Sequence, residues 1–245
     1  MAGGCNGLPD FGQYPSGCAS GFVYSGGICT RSSSFISNCD MFGGYDETSC
    51  GCFGGCAPEL GGCSPILIDV SGNGFALTNA ADGVNFDVDG DGAPERRAWT
   101  TADTDDAWLV LDRNGNGSID GGRELFGSAC SQPPPPPGIE LNGFNALKEY
   151  DSAGFGGNSD GQISQQDTIF NQLRLWRDTN HNGISEADEL HALAGLGLKT
   201  IAVDYHESRR ADEFGNRFKY RAKVKDAQGA QMNRWAWDVF LVREP

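Results

Sequence analysis

Positive charge is scarce in this chain. Only 18 lysines and arginines face 33 aspartates and glutamates, giving a formal net charge of −15. That balance disfavours nucleic acid and anionic membrane surfaces as partners of the whole molecule, because like charges repel. No run of about 18 apolar residues occurs, so no membrane-spanning helix is read. Histidine is limited to His181, His191 and His206. No H-E-x-x-H pair or P-loop is present, which removes the commonest zinc-protease and nucleotide sites. Cysteine is nearly missing after residue 63, where Cys130 stands alone.

What is abundant is concentrated. Eight cysteines (Cys5, Cys18, Cys29, Cys39, Cys50, Cys52, Cys56 and Cys63) fall in the first 63 residues. In a glycine-rich segment they predict a disulfide framework and an oxidising compartment. Zinc is the competing reading, through Cys50, Cys52 and Cys56, but no Cys-x-x-Cys knuckle or nearby histidine supports it. The acids are clustered too. Residues 69–189 hold 21 acids and 7 bases, and so carry −14 of the net charge. They sit at fixed spacing beside glycines with apolar residues between, unlike a solvated tail. The expected organisation is a cysteine-rich segment over 1–63 and one domain over 64–245.

Short strands are predicted at 65–70, 75–78, 84–86, 98–100 and 107–111, and again at 200–205, 218–224 and 235–242, with a turn at 212–216. Five consecutive prolines, 133–137, place an exposed stiff loop before the helical patterns. Residues 142–150 put Phe144, Leu147 and Tyr150 on one face, and 165–177 do the same for Ile169, Phe170, Leu173 and Trp176. A third, shorter helix is read over 186–196. The expected fold class is α+β: a paired EF-hand-like helix-loop-helix packed with an antiparallel β-sheet, preceded by a disulfide-rich irregular segment. On the strand over 218–224, Lys219, Arg221 and Lys223 share one face. That face is either a solvated counterweight to the acidic half or a surface for polyanions such as acidic glycans. A nucleophilic pair of Ser208 and His206 is disfavoured, since no orienting acid is specified.

The acidic clusters have calcium-loop spacing. Calcium takes six to eight oxygens, and the EF-hand supplies them from positions 1, 3, 5, 7, 9 and 12, bending at a glycine in position 6. Residues 178–189 fit best, with Asp178, Asn180, Asn182, the Ile184 carbonyl, Glu186 and Glu189 as ligands, and His181 pointing to solvent. The second loop offers Asn158, Asp160, the Gln162 carbonyl and Asp167. Its position 1 falls on Gly156, so Asp151 is expected to serve if 152–157 bulge out. These two loops are expected to pair through a shared helix over 165–177. A third comprises Asp112, Asn114, Asn116, the Ser118 carbonyl, Asp120 and Glu124, the last one residue beyond position 12. A fourth comprises Asp87, Asp89 and Asp91, with Glu95 able to complete it. Residues 69–74 are a weaker echo. Each cluster has a plainer alternative, an Asx-turn without metal.

The phrases SPILID (64–69), FDVDGDG (86–92), LDRNGNGSIDGGRELF (111–126) and LRLWRDTNHNGISEADEL (173–190) occur in that order. They resemble the calcium-dependent self-processing modules of iron-regulated RTX-type bacterial proteins. More closely, they resemble a wider group of bacterial exported EF-hand proteins, a likeness that extends through ESRR (207–210) and RWAWDVF (234–240). The resemblance covers 64–242. It implies Ca2+ as cofactor and calcium-triggered folding. The self-processing family cuts an Asp-Pro bond near the module's start and can form an Asp–Lys link, but this sequence contains no Asp-Pro pair. The expected function is therefore a non-enzymatic, exported calcium-binding protein, secreted or at the cell surface, with a surface glycan or protein partner left open. A self-processing enzyme is the alternative. No basic start or apolar h-region follows Met1, so export is inferred from cysteine usage, calcium chemistry and the resemblance.

Overall fold

The computed structural model describes residues 63–226 and 235–244, together with the backbone of four short strands before them. Those strands form two hairpins, β1 (Phe22–Ser25) with β2 (Ile28–Arg31) and β3 (Tyr45–Asp46) with β4 (Gly51–Cys52). The cysteine framework expected of residues 1–63 lies, Cys63 excepted, outside the described residues.

A nine-stranded antiparallel sheet organises the rest. Its path runs β11 (Leu190–Ala192), β10 (Arg174–Trp176), β8 (Asp106–Val110), β5 (Ile66–Asp69), β15 (Trp235–Phe240), β14 (Arg217–Asp226), β12 (Leu198–Ala202) and β9 (Gln162–Ile163). β13 (His206–Ala211) pairs with the first half of β14 and β12 with its end. A separate hairpin, β6 (Val84–Phe86) with β7 (Glu95–Arg97), lies over one face.

Both faces of the central strands are covered, so these strands are continuously apolar. From β5, Ile66 and Ile68 enter one core and Leu67 the other; from β8, Ala107 and Leu109 oppose Trp108 and Val110. The first core is closed by α1 (Gly143–Glu149), the one α-helix among the described residues. Asn142 caps it by accepting from the Asn145 N–H, and Phe144 and Leu147 point inward with no exposure. Burial of each contributes about 1.5–3 kcal/mol. Gly143 permits the close approach, because a Cβ there would lie 2.4 Å from the Phe126 carbonyl oxygen. The second core is aromatic, with ring centroids of Trp99 4.7 Å from Trp108 and 5.4 Å from Trp176, and Phe86 5.2 Å from Trp99.

The expected α+β arrangement with paired EF-hand helices is overturned. Residues 165–177 contain a 3-10 turn, Thr168–Asn171, followed by strand β10. Residues 186–196 hold strand β11 and a 3-10 turn, Leu193–Leu196. The physical reason is that β10 sits between β8 and β11, with Leu175 in one core and Trp176 in the other. A strand buried on both faces shows no alternation, and its apolar run matches a helical template equally well. The helix over 142–150 is present. Strand β14 also departs from simple alternation. A register shift between Phe218 and Tyr220 sends Phe218 into the aromatic core and Tyr220, Ala222 and Val224 into the other. Its arginines are not merely solvated: Arg221 lies over Trp235 and Arg210 of β13 over Phe218, each 4.6 Å from the ring centre.

Candidate metal-binding loops

Each acidic loop leaves the end of an element, and each is folded around one aspartate. Asp178, following β10, accepts from the Asn182 N–H (3.0 Å) and the Gly183 N–H (2.8 Å). Asp112, following β8, accepts from the N–H groups of Gly115, Asn116 and Gly117 at 2.7, 3.2 and 2.9 Å. Asp87, in the β6–β7 connection, does the same with Gly90, Asp91 and Gly92 at 2.7, 3.0 and 2.9 Å. Asp151, following α1, accepts from Asp160 (3.1 Å) and Gly161 (3.0 Å). Between them lies a 3-10 turn, Ala153–Phe155, so the intervening residues loop out and Asp151 takes the first place. The backbone enters positive φ twice in each aspartate-centred turn, and once more at Gly156 among the residues looped out after Asp151. The second place is Gly92, Gly117, Gly161 or Gly183; the first is Gly90, Gly115, Ser159 or His181, the last two at φ 59°. Glycine is favoured there because it lacks the Cβ that disfavours this region.

A second carboxylate closes three of the loops. Glu189 accepts from Thr179 N–H and hydroxyl (2.8 and 2.9 Å) and from the Trp176 indole (3.2 Å). Glu124 accepts from Arg113 N–H (2.9 Å) and Asp120 N–H (2.8 Å), and Asp167 from Asn158 N–H (3.1 Å) and Ser164 N–H (2.7 Å). Glu124 thus occupies the place of Glu189 despite its one-residue displacement. Asp151, Asp167, Asp178, Glu189 and Glu124 are all buried.

The exposed rim holds the remaining candidates. Asn182 donates its amide to Glu186 at 2.8 Å, and this contact first among several holds the Glu186 carboxyl below its usual range. Asn180 reaches the same oxygen at 3.4 Å. Asn114 and Asn116 both donate to Asp120, at 3.1 and 2.5 Å. Asn158 donates to Asp160 at 3.1 Å. Main-chain N–H groups of Ser118, Gln162 and Ile184 donate to Asn116, Asp160 and Asn182, which orients each turn. Asp87, Asp89 and Asp91 place one oxygen each within 4.8 Å of the other two. Burial, with contacts between like charges behind it, raises the Asp87 and Asp89 carboxyls above their usual range. Glu95 turns instead to Arg97 at 3.1 Å, and Arg97 also faces Asp89 at 3.7 Å. Clustered carboxyl and amide oxygens are the hard donors that a divalent cation such as calcium takes.

Loop pairing differs from the expectation. The loop over 178–189 meets the one over 112–124, where Ile119 N–H donates to Ser185 Oγ at 2.6 Å. The loop over 151–167 pairs with β12 instead, with Ile163 opposite Ile201. His181 is not solvated; its ring nitrogens contact the carbonyls of Thr100 (2.6 Å) and Asp82 (2.7 Å), pinning the loop to its neighbours. Two further acids join residues 69–74. Asp69, Asp105 and Asp106 also bring one oxygen each within 4.8 Å. A signal for the loop of 69–74 was present in sequence: Asp69, Asp87 and Asp112 are each followed by glycine at the third and fifth residues onward.

The sequence profile described as "SPM domain" matches residues 66–241. This chain belongs to the SPM domain family. A relative is "Iron-regulated protein FrpA" of Neisseria meningitidis serogroup C, 34% identical over 167 residues. The match covers 67% of this chain and 14% of the relative, so this chain spans a small part of that protein's length. Among the described residues no helix is long and apolar enough to cross a membrane.

Proposed function

We propose that this SPM domain is a calcium-dependent folding module of an exported protein. The reading rests on one observation: four loops are each folded around a first aspartate that accepts from backbone N–H groups, with a rim of acidic or amide oxygens beyond it. The proposed ligands are Asp178, Asn180, Asn182, Glu186 and Glu189 with the Ile184 carbonyl; Asp151, Asn158, Asp160 and Asp167 with the Gln162 carbonyl; Asp112, Asn114, Asn116, Asp120 and Glu124 with the Ser118 carbonyl; and Asp87, Asp89 and Asp91. Calcium neutralises repelling carboxylates and ties together segments that belong to different elements, so its binding free energy becomes folding free energy. Low cytosolic and high extracellular calcium would then delay folding until after export. The cysteine-rich segment before the domain agrees with an oxidising destination.

Calorimetric titration of the chelated protein with calcium tests this. Saturable heats are expected, reduced by Asp178→Asn; absence of any heat sinks the reading. The second reading, self-processing, draws on what the resemblance implies and is opposed by the lack of any Asp-Pro pair in the sequence. Fragments or crosslinked adducts after incubation with calcium would favour it.

A further inference from the structure

The loop over 69–74 has the same interior as the others. Asp69 accepts from the N–H groups of Gly72, Asn73 and Gly74 at 2.6, 3.2 and 2.7 Å, and Gly72 and Gly74 have positive φ. What it lacks in its own sequence is acid beyond the bend: after Asn73 come Gly74, Phe75, Ala76, Leu77 and Thr78. The sheet supplies that acid from elsewhere. β5 pairs with β8 so that Asp69 lies directly opposite Asp106. Asp105 accepts from the Ser71 N–H at 2.7 Å and from the Asn73 amide at 2.8 Å. The second contact reproduces those of Asn116 with Asp120 and Asn182 with Glu186.

Asp106 adds an observation independent of the turn. It is 0% exposed, and its Oδ2 accepts from Ala76 N–H (2.8 Å) and Thr104 hydroxyl (3.0 Å). Its Oδ1 is buried without a hydrogen-bond partner, and one oxygen of its carboxyl group lies within 4.8 Å of one from Asp69 and one from Asp105. A carboxyl oxygen buried without a partner is costly, and a bound cation is a direct way to satisfy it.

We propose a split divalent-cation site in which the half-loop at Asp69 is completed by Asp105 and Asp106 from the start of β8. The ion is calcium, since all donors are hard oxygens. The proposal deepens the calcium reading and rests on it. Where the other loops gather neighbouring segments, this site ties two central strands of the sheet at one end. Its occupancy would therefore report assembly of the sheet itself.

Native mass spectrometry of the full chain across calcium concentrations tests it, comparing wild type with Asp105→Asn and Asp106→Asn. Each variant is expected to bind one calcium fewer than wild type. If the wild type binds calcium and both variants bind the same number, the split site is wrong while the calcium reading stands. A wild type that binds none overturns both. Should Asp106→Asn fold poorly, Asp105→Asn decides alone, because its side chain is partly exposed. Melting gives a second readout: Asp106→Asn should melt no lower than wild type in chelator and below it in millimolar calcium. The same ranking in both conditions would contradict the site.

Discussion

The loops over 178–189 and 151–167 hold the same aspartate-centred turn by different lengths of chain. Asp178 reaches a glycine five residues on, and Asp151 a glycine ten residues on, yet each accepts from the same two backbone positions. What is kept is the cradle of N–H groups around the first acid; the spacing is free wherever a 3-10 turn can be looped out. The two loops differ in their attachments. The first is fixed to the rest of the domain by His181 and by the Trp176–Glu189 contact. In the second, Ser159 occupies the place of His181 with an exposed side chain.

Removing the attachment of a loop should be the most damaging change. A Cβ on Gly122 would stand 1.8 Å from the Val88 carbonyl oxygen, where the loops over 112–124 and 87–92 touch. Gly122→Ala is expected to cost about 3 kcal/mol in urea unfolding, the scale of an overpacked core. A loss near zero would show that the two loops part freely. Next is Glu189→Ala, which also leaves the buried Trp176 indole N–H without its acceptor. About 2 kcal/mol should be lost even in chelator, as for an orphaned buried donor. In titration calorimetry Glu189→Ala should weaken calcium binding more than Glu124→Ala; the opposite order would undo the ranking of these sites.

Asp238 offers a contrast, since it is a buried acid outside every loop. It accepts from Gly143 N–H at 2.5 Å, and burial pushes its carboxyl up to about 7 from the usual 3.8. A raised folded value favours the protonated form. Its contribution is fully present below about pH 4 and is lost as pH rises through 7. The stability difference between wild type and Asp238→Asn, measured in saturating calcium, should therefore move against wild type over that window. A flat difference would mean that Asp238 is ionised throughout.

The smallest effects should have opposite signs at equivalent positions. Ser159→Gly should stabilise by about 1 kcal/mol, because glycine accepts positive φ without the left-handed penalty. His181→Gly gains the same relief but loses both ring contacts, and should not stabilise. Equal gains in thermal melts would show that the His181 contacts carry no weight.

Much of the loop geometry was legible in sequence because an aspartate-centred turn is local. Asp, Asn and Gly at fixed offsets specify it without help from elsewhere. Position 1 of the second loop was also legible, since Gly156 lacks an oxygen and Asp151 is the next acid upstream. The helix over 142–150 was legible, but strands β10 and β11 were read as helices. Leu173, Leu175 and Trp176 are apolar because two cores flank β10, and one strand with two buried faces imitates a helix face. Asp105 and Asp106 were missed for a related reason. Their role depends on the pairing of β5 with β8, a long-range register that no local pattern encodes. His181 was misread because position 4 of an isolated loop does face outward; here the segments carrying Asp82 and Thr100 pack against it.

Melting of the full chain in millimolar calcium and in excess chelator, with magnesium as an ionic control, bears most directly on the calcium-folding account. A midpoint many degrees higher in calcium than in either other condition is expected. Superimposable curves would contradict it, and leave the loops as hydrogen-bonded turns on an acidic β-domain.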